Sequence, residues 1–199
     1  MTGAQPLGFD ARDGLVGVAR NQRGAALHVL FVCTGNICRS PTAERLAAAY
    51  GARQQIADFT ASSAGTRAVI AHPIHRDAAF VLESLGGEAS DFAARQLTPR
   101  IASDADLVLT MTRAHRDSVL ELAPHRLHRT FTLSEAAGLV SKHDARSVAD
   151  LAALRPRVLA DEMPDVPDPI GQSPQHFATV GSQIADLLGP ILELCRPHD

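Results

Sequence analysis

The sequence predicts an α/β fold: a four-stranded parallel sheet with helices on both faces and a phosphate-binding loop after the first strand. Three observations carry this reading. Short apolar or β-branched runs at 27–32, 55–63, 107–109 and 129–133 alternate with stretches of helical periodicity, the pattern of a parallel sheet buried between helices. The first run leads straight into Cys33-Thr34-Gly35-Asn36-Ile37-Cys38-Arg39-Ser40-Pro41. Ligands of such sheets sit at the carboxyl ends of the strands, which is where Cys33 falls.

Residues 1–26 are rich in Gly, Ala, Asp and Arg with little periodicity, and are expected to form a disordered extension ahead of a domain spanning 27–199. His28-Val29-Leu30-Phe31-Val32 suits a buried strand. Ser40-Pro41 reads as a capping hydroxyl followed by proline at the first helical position, and 42–50 is rich in helix formers. Residues 55–63 read as a second strand, 67–76 as a loop, and 77–85 as a helix ended by Gly86-Gly87. Thr98-Pro99 caps a short helical turn. Residues 107–109 make a third strand, 113–122 an amphipathic helix stopped by Pro124, and 129–133 a fourth strand, with a helix opening at Ser134. A further helix is expected around 145–154. Residues 173–194 carry an apolar stripe at helical spacing, with Pro190 expected to kink or interrupt the helix.

The loop after the first strand holds the chemistry. Gly35 and Asn36 are the residue types that most readily take positive φ. A turn there aims the successive backbone N–H groups of Thr34, Gly35, Asn36, Ile37, Cys38 and Arg39 at one centre, an anion nest, and the helix N-terminus adds partial positive charge. A thiol at Cys33, in that field, is expected to ionise well below the free value of ~8.5. Arg39 folds a planar guanidinium over the same centre and binds two phosphate oxygens at once. The implied reaction is attack of the Cys33 sulfur on a bound phosphate, giving a phosphocysteine that water hydrolyses. Ser40 is placed to hydrogen-bond the thiolate. A bare Cys-x5-Arg is a weak pattern; the strand before it, Gly-Asn within it and Ser-Pro after it make it specific.

Composition narrows the remaining classes. A chain of 199 residues is one domain with room for a substantial core. Its net charge is −3, and of its nineteen basic residues only Lys142 is a lysine. The arginines are scattered, so no basic stripe for nucleic acid emerges. No apolar run is long enough for a membrane span, and no signal-peptide core opens the chain. Three cysteines make no disulfide framework, and a reduced Cys33 fits the cytoplasm. No metal-ligand spacing appears among the three Cys and nine His, so neither a metal nor a cofactor is expected.

CTGNICRSPTAE resembles the signature of the low-molecular-weight protein tyrosine phosphatases, in their bacterial form. The likeness extends to Ser62-Ser63-Ala64-Gly65-Thr66, to 105–112 and to Asp165-Val166-Pro167-Asp168-Pro169, and covers about 27–195. The resemblance implies that Ser63 supports the phosphate loop and that 67–76 forms a wall of the substrate crevice, with Val69 and Ile70 there. Many relatives hold the loop asparagine with a histidine near Phe92; Phe92 cannot do this, so Asn36 is expected to be held differently. Residues 141–163 depart from the short forms of the family and read as a surface insertion before the acid loop.

Residues 161–171 place several carboxylates among three prolines, which stiffen the loop. A general acid is needed within hydrogen-bond reach of the leaving oxygen. Asp168-Pro169 matches the family's acid motif, so Asp168 takes that role and Asp165 is the competitor. Many relatives carry Tyr after this Asp-Pro; here it is Ile170, so aromatic stacking on a substrate ring is reduced, with Phe177 as a substitute face. Cys38 is close enough to Cys33 to act as a redox guard through a reversible disulfide.

The resemblance implies a phosphatase for tyrosine-phosphorylated proteins, with a tyrosine kinase among its partners. The nearest alternative is a protein arginine phosphatase. Those enzymes share the downstream TMT, FTL and DP patterns but typically carry Thr where this chain has Ile37. A thiol-coupled arsenate reductase needs further relay cysteines, and here only Cys38 and Cys195 remain. A phosphate-binding module with an idle nucleophile is disfavoured by intact Cys33, Arg39 and Asp168.

Overall fold

The structure, a computed structural model, describes residues 27–158 and 163–196. The 1–26 extension expected from the sequence lies outside the described residues, as do Asp161 and Glu162. Four strands, β1 (Leu27–Cys33), β2 (Phe59–Gly65), β3 (Leu107–Thr110) and β4 (Thr130–Thr132), pair in the order β2-β1-β3-β4, all parallel. β1 is central: Phe31 pairs with Ser63 on one side and Leu109 on the other, and Cys33 ends level with Gly65.

The strand period of two divides the core. Val29, Phe31 and Cys33 face one cluster, built with α1 (Arg39–Arg53), α2 (Arg76–Ser84), α5 (Leu133–His143), α6 (Val148–Leu154) and α7 (Pro174–Leu194). Leu30 and Val32 face a smaller cluster under α3 (Pro99–Asp104) and α4 (Arg113–Leu122). Residues 29–32 are therefore buried on both faces, which is why that run shows no polar alternation. The expected fold class and most elements match this architecture.

Three boundaries differ from expectation for local reasons. β2 begins at Phe59 rather than 55, because Gln55 and Asp58 both turn the chain with positive φ and Ile56 N–H closes onto Gly51 O. α7 runs unbroken through Pro190. Asp186, whose carbonyl a proline cannot satisfy, lies on the exposed side, where water is an alternative partner. α5 extends to His143, held at its start by a Thr132–Glu135 capping box and ended by Asp144 at φ 56°.

The 141–163 segment thus begins inside α5. Its apolar side chains are docked: Ala145, Val148, Leu151 and Met163 are buried, and Met163 occupies the space above Gly138. Arg155 pins the segment down. Its Nε donates to Glu135 at 2.7 Å, Nη1 donates to Leu127 O at 3.0 Å, and Nη2 donates to Thr130 O. The guanidinium also lies 4.0 Å over the Phe131 ring.

Candidate active site

The loop from Cys33 to Arg39 leaves the sheet at its carboxyl edge. Surrounding chain takes its carbonyls: those of Cys33, Thr34, Gly35 and Ile37 accept from the N–H groups of Thr66, Arg67, Val69 and His75 at 2.7–2.9 Å. The Cys38 carbonyl accepts from Thr42 N–H at 3.0 Å. Among the described residues, no N–H of Thr34 to Cys38 donates to the protein. With its carbonyls taken by surrounding chain and its amides without a protein acceptor among the described residues, the loop has the hydrogen-bonding balance that an anion nest at the head of α1 requires. Asn36, at φ 55°, supplies the left-handed turn; Gly35 does not.

Ser40 departs from expectation. α1 starts at Arg39 with Cys38 as N-cap and no side-chain cap, so Ser40 is already helical and Pro41 is the third helical residue. The Ser40 hydroxyl is used elsewhere. It lies 2.9 Å from Cys33 Sγ and accepts from Asn36 Nδ2 at 2.9 Å. Leaving the first turn uncapped keeps its N–H groups for an anion.

Asn36 is held without a histidine, as expected. Nδ2 also donates to Ser63 Oγ at 2.8 Å, and Oδ1 accepts from Arg95 N–H at 2.9 Å. Ser63 in turn donates to Glu44 Oε2 at 2.5 Å, while Arg95 Nε donates to Ser63 O at 2.7 Å. Cys33, Ser40, Asn36, Ser63 and Glu44 form one chain of polar contacts, almost wholly buried. Gly65 lets β2 approach the loop: a Cβ there would lie 2.5 Å from Thr34 O.

Arg39 is buried, and its Nη2 donates to Asp168 Oδ2 at 2.6 Å while Nη1 donates to Val166 O at 3.2 Å. Its Nε is buried and makes no hydrogen bond among the described residues. Asp168 is half exposed, at 49 %, and its other oxygen accepts from Ile170 N–H at 3.2 Å. Asp165 is committed elsewhere. It accepts from Arg113 N–H at 2.9 Å at the start of α4, and Val166 N–H donates to Met111 O at 2.8 Å. Only Asp168 of the two therefore faces the nest's arginine.

The aliphatic residues Val69, Ile70 and Ile170 are exposed, and Val69 and Ile37 both pack against Gly35, consistent with a crevice wall. Phe177 does not serve as a substrate face. It is buried in the core and stacks on His75, with ring centroids 5.1 Å apart. Cys38 is buried beside Thr42, Ala78, Val81 and Phe177, and burial pushes its thiol up to about 12, with neighbouring negative groups adding to the effect. Cys195 is likewise buried, its thiol pushed up to about 12 by desolvation.

Sequence reasoning missed Glu44, Arg95 and His115. His115 is buried on α4, with Nε2 2.8 Å from Thr34 Oγ1 and Nδ1 2.8 Å from Thr112 Oγ1. Burial, then the charge of Arg39, lower its pKa to about 4. A histidine one turn into an amphipathic helix gives no sequence signal of a partner eighty residues away. Among the described residues no cluster of His, Cys, Asp or Glu is suited to a metal ion.

Residues 28–150 match the family model described as low molecular weight phosphotyrosine protein phosphatase. The chain is 36 % identical over 107 residues to the low molecular weight protein-tyrosine-phosphatase Etp of Escherichia coli strain K12, covering 54 % of this chain and 69 % of that protein. Its structure is similar to that of the low molecular weight protein tyrosine phosphatase from T. tengcongensis, with TM-score 0.69 and 30 % identity, covering 84 % and 98 % of the two chains. It is also similar to the YwlE arginine phosphatase from Geobacillus stearothermophilus, with TM-score 0.66 and 28 % identity, covering 84 % and 91 %. With the nest, Cys33, Arg39 and Asp168 brought together at one strand end, the chain belongs to the low molecular weight phosphotyrosine protein phosphatase family.

Proposed function

We propose that this protein hydrolyses phosphotyrosine in proteins through a phosphocysteine at Cys33. The observation that carries the reading is the loop after Cys33, whose amides have no protein acceptor among the described residues, together with the Arg39–Asp168 pair that closes on it. A phosphate entering the nest takes the loop amides and draws Arg39 onto its oxygens, the buried Nε included, which frees Asp168. Cys33 Sγ then attacks in line. The S–P bond forms, the P–O bond to the leaving group breaks, and protonated Asp168 gives its proton to the departing oxygen. In the second step Asp168, now a carboxylate, takes a proton from water. The resulting hydroxide attacks phosphorus, the S–P bond breaks, and Cys33 leaves as a thiolate held by Ser40.

The aliphatic side chain of Ile37, packed against Gly35, supports the tyrosine reading, since an alkyl group offers no hydrogen bond to a guanidinium. The likeness to YwlE arginine phosphatase supports phosphoarginine as the second reading. Hydrolysis of matched phosphotyrosine, phosphoserine and phosphoarginine peptides separates them. Phosphotyrosine turnover is expected to be fastest, and faster phosphoarginine hydrolysis overturns the assignment. Arsenate relay is disfavoured by the burial of both spare cysteines. The partners are accordingly tyrosine-phosphorylated proteins, with a tyrosine kinase supplying them. No described helix is long and apolar enough to cross a membrane, and the need for a reduced Cys33 supports a cytoplasmic setting.

Cys38 is proposed as a redox guard. Peroxide would convert Cys33 to a sulfenic acid, and the Cys38 thiol would displace water to form the Cys33–Cys38 disulfide. The raised Cys38 pKa makes that displacement slow. Mass spectrometry after peroxide treatment tests it: a disulfide between these two residues is expected, and sulfinic Cys33 with free Cys38 contradicts it.

A further inference from the structure

The start of α4 touches both halves of the site. Its preceding strand end and first residue hold the acid loop: Met111 O takes Val166 N–H, and Arg113 N–H donates to Asp165. One turn on, His115 reaches Thr34, the residue after the nucleophile. Thr112 Oγ1 caps α4 by accepting His115 N–H at 3.2 Å and also faces the ring's Nδ1. A neutral ring satisfies both contacts when the Thr112 hydroxyl donates to Nδ1 and Nε2–H donates to Thr34 Oγ1. Asp165, Asp168, Arg39 and Arg67 surround this ring electrostatically, and its low pKa keeps it neutral above pH 5.

We propose that His115 is a positioning residue: by tying Thr34 to the helix end that anchors the acid loop, it sets the distance between the Cys33 nucleophile and the Asp168 acid. This rests on the phosphatase reading above. The loop's own shape is held independently, by Asn36, Ser40, Ser63 and Arg95. Loss of the His115–Thr34 contact therefore leaves the nest able to bind phosphate. It loosens the acid's registration over the leaving oxygen, and misplacement on the scale of 1 Å costs up to ~100-fold in rate.

The test is a leaving-group series of aryl phosphates, with inhibition by inorganic phosphate, on wild type, His115→Ala, Thr34→Val and the double variant. Thermal unfolding of each confirms folding. The expected result is a kcat about tenfold lower in His115→Ala for poor leaving groups and little changed for the most acidic phenols. The phosphate inhibition constant is expected to stay within about threefold. Thr34→Val, nearly isosteric, should reproduce the pattern, and the double variant should lose no more than the worse single change. His115→Gln, which keeps a side-chain N–H donor, should recover part of the loss. A loss equal across all leaving groups, a loss confined to KM, or additive single effects overturns the proposal while leaving the phosphatase reading intact. An inert wild type overturns both.

Discussion

Cys33 makes one side-chain contact that matters for its chemistry, the 2.9 Å approach of Ser40 Oγ. Ser40→Ala removes a hydrogen bond to the sulfur as a leaving group, so hydrolysis of the phosphocysteine should slow by about tenfold, with substrate affinity kept. A rapid-quench burst followed by a slower steady state is the expected signature; a uniform loss without a burst contradicts it. Asp168→Asn should slow the pre-steady-state transfer of phosphate to Cys33 most for poor leaving groups, because only they need a proton in the transition state of that step. Equal losses across the series would refute the acid role. At this scale the sequence was legible where backbone chemistry dictates identity. Cys33, Asn36 and Arg39 announce themselves through spacing and φ, whereas Asp168 is singled out among the loop's carboxylates by the resemblance to the family's acid motif. For Ser40 the expected approach to the Cys33 sulfur is seen but the expected helix cap is not, because a Ser-Pro at a helix start has the same appearance whether or not its hydroxyl caps the helix.

The elements add constraints that single residues do not show. β2 must run within contact of the phosphate loop, and Gly65 is where it does so. Gly65→Ala pushes a methyl into Thr34 O and should destabilise the fold by about 1–3 kcal/mol, with activity falling further than stability because the loop shifts. Denaturant midpoints set beside kcat/KM check this; an unchanged kcat/KM contradicts it. The 141–163 segment depends on Arg155, whose removal leaves Glu135 buried without its partner. Arg155→Ala is expected to cost about 3 kcal/mol, with hydrogen exchange rising first in α6. Periodicity revealed these helices. It did not reveal the docking of α6, since the anchor is a salt bridge between positions twenty residues apart, and short apolar runs do not say what they pack against. The run through Pro190 escaped for a similar reason, because the tolerance of a helix for proline depends on which side the freed carbonyl faces.

For the whole molecule, the parallel sheet covered by helices on both faces followed from the alternation of strands and helices, whereas the strand order β2-β1-β3-β4 and the cross-links between loops did not. His115 shows the consequence in pH. Its pKa falls from 6.5 free to about 4 folded, so folding favours the neutral ring. That contribution is complete above pH 6.5 and is lost as pH falls toward 4, on the order of 3 kcal/mol in total. Urea midpoints measured from pH 7 to pH 4 should fall more steeply for wild type than for His115→Gln; parallel curves contradict the assignment. The most direct test of the account lies in trapping the intermediate. Asp168→Asn, mixed with a phenyl phosphate of acidic leaving group and acid-quenched, should carry a phosphate adduct on the peptide containing Cys33, and Cys33→Ala, which has no nucleophile there, should show neither adduct nor turnover. Turnover without an adduct on Cys33, or an adduct on another residue, would contradict it.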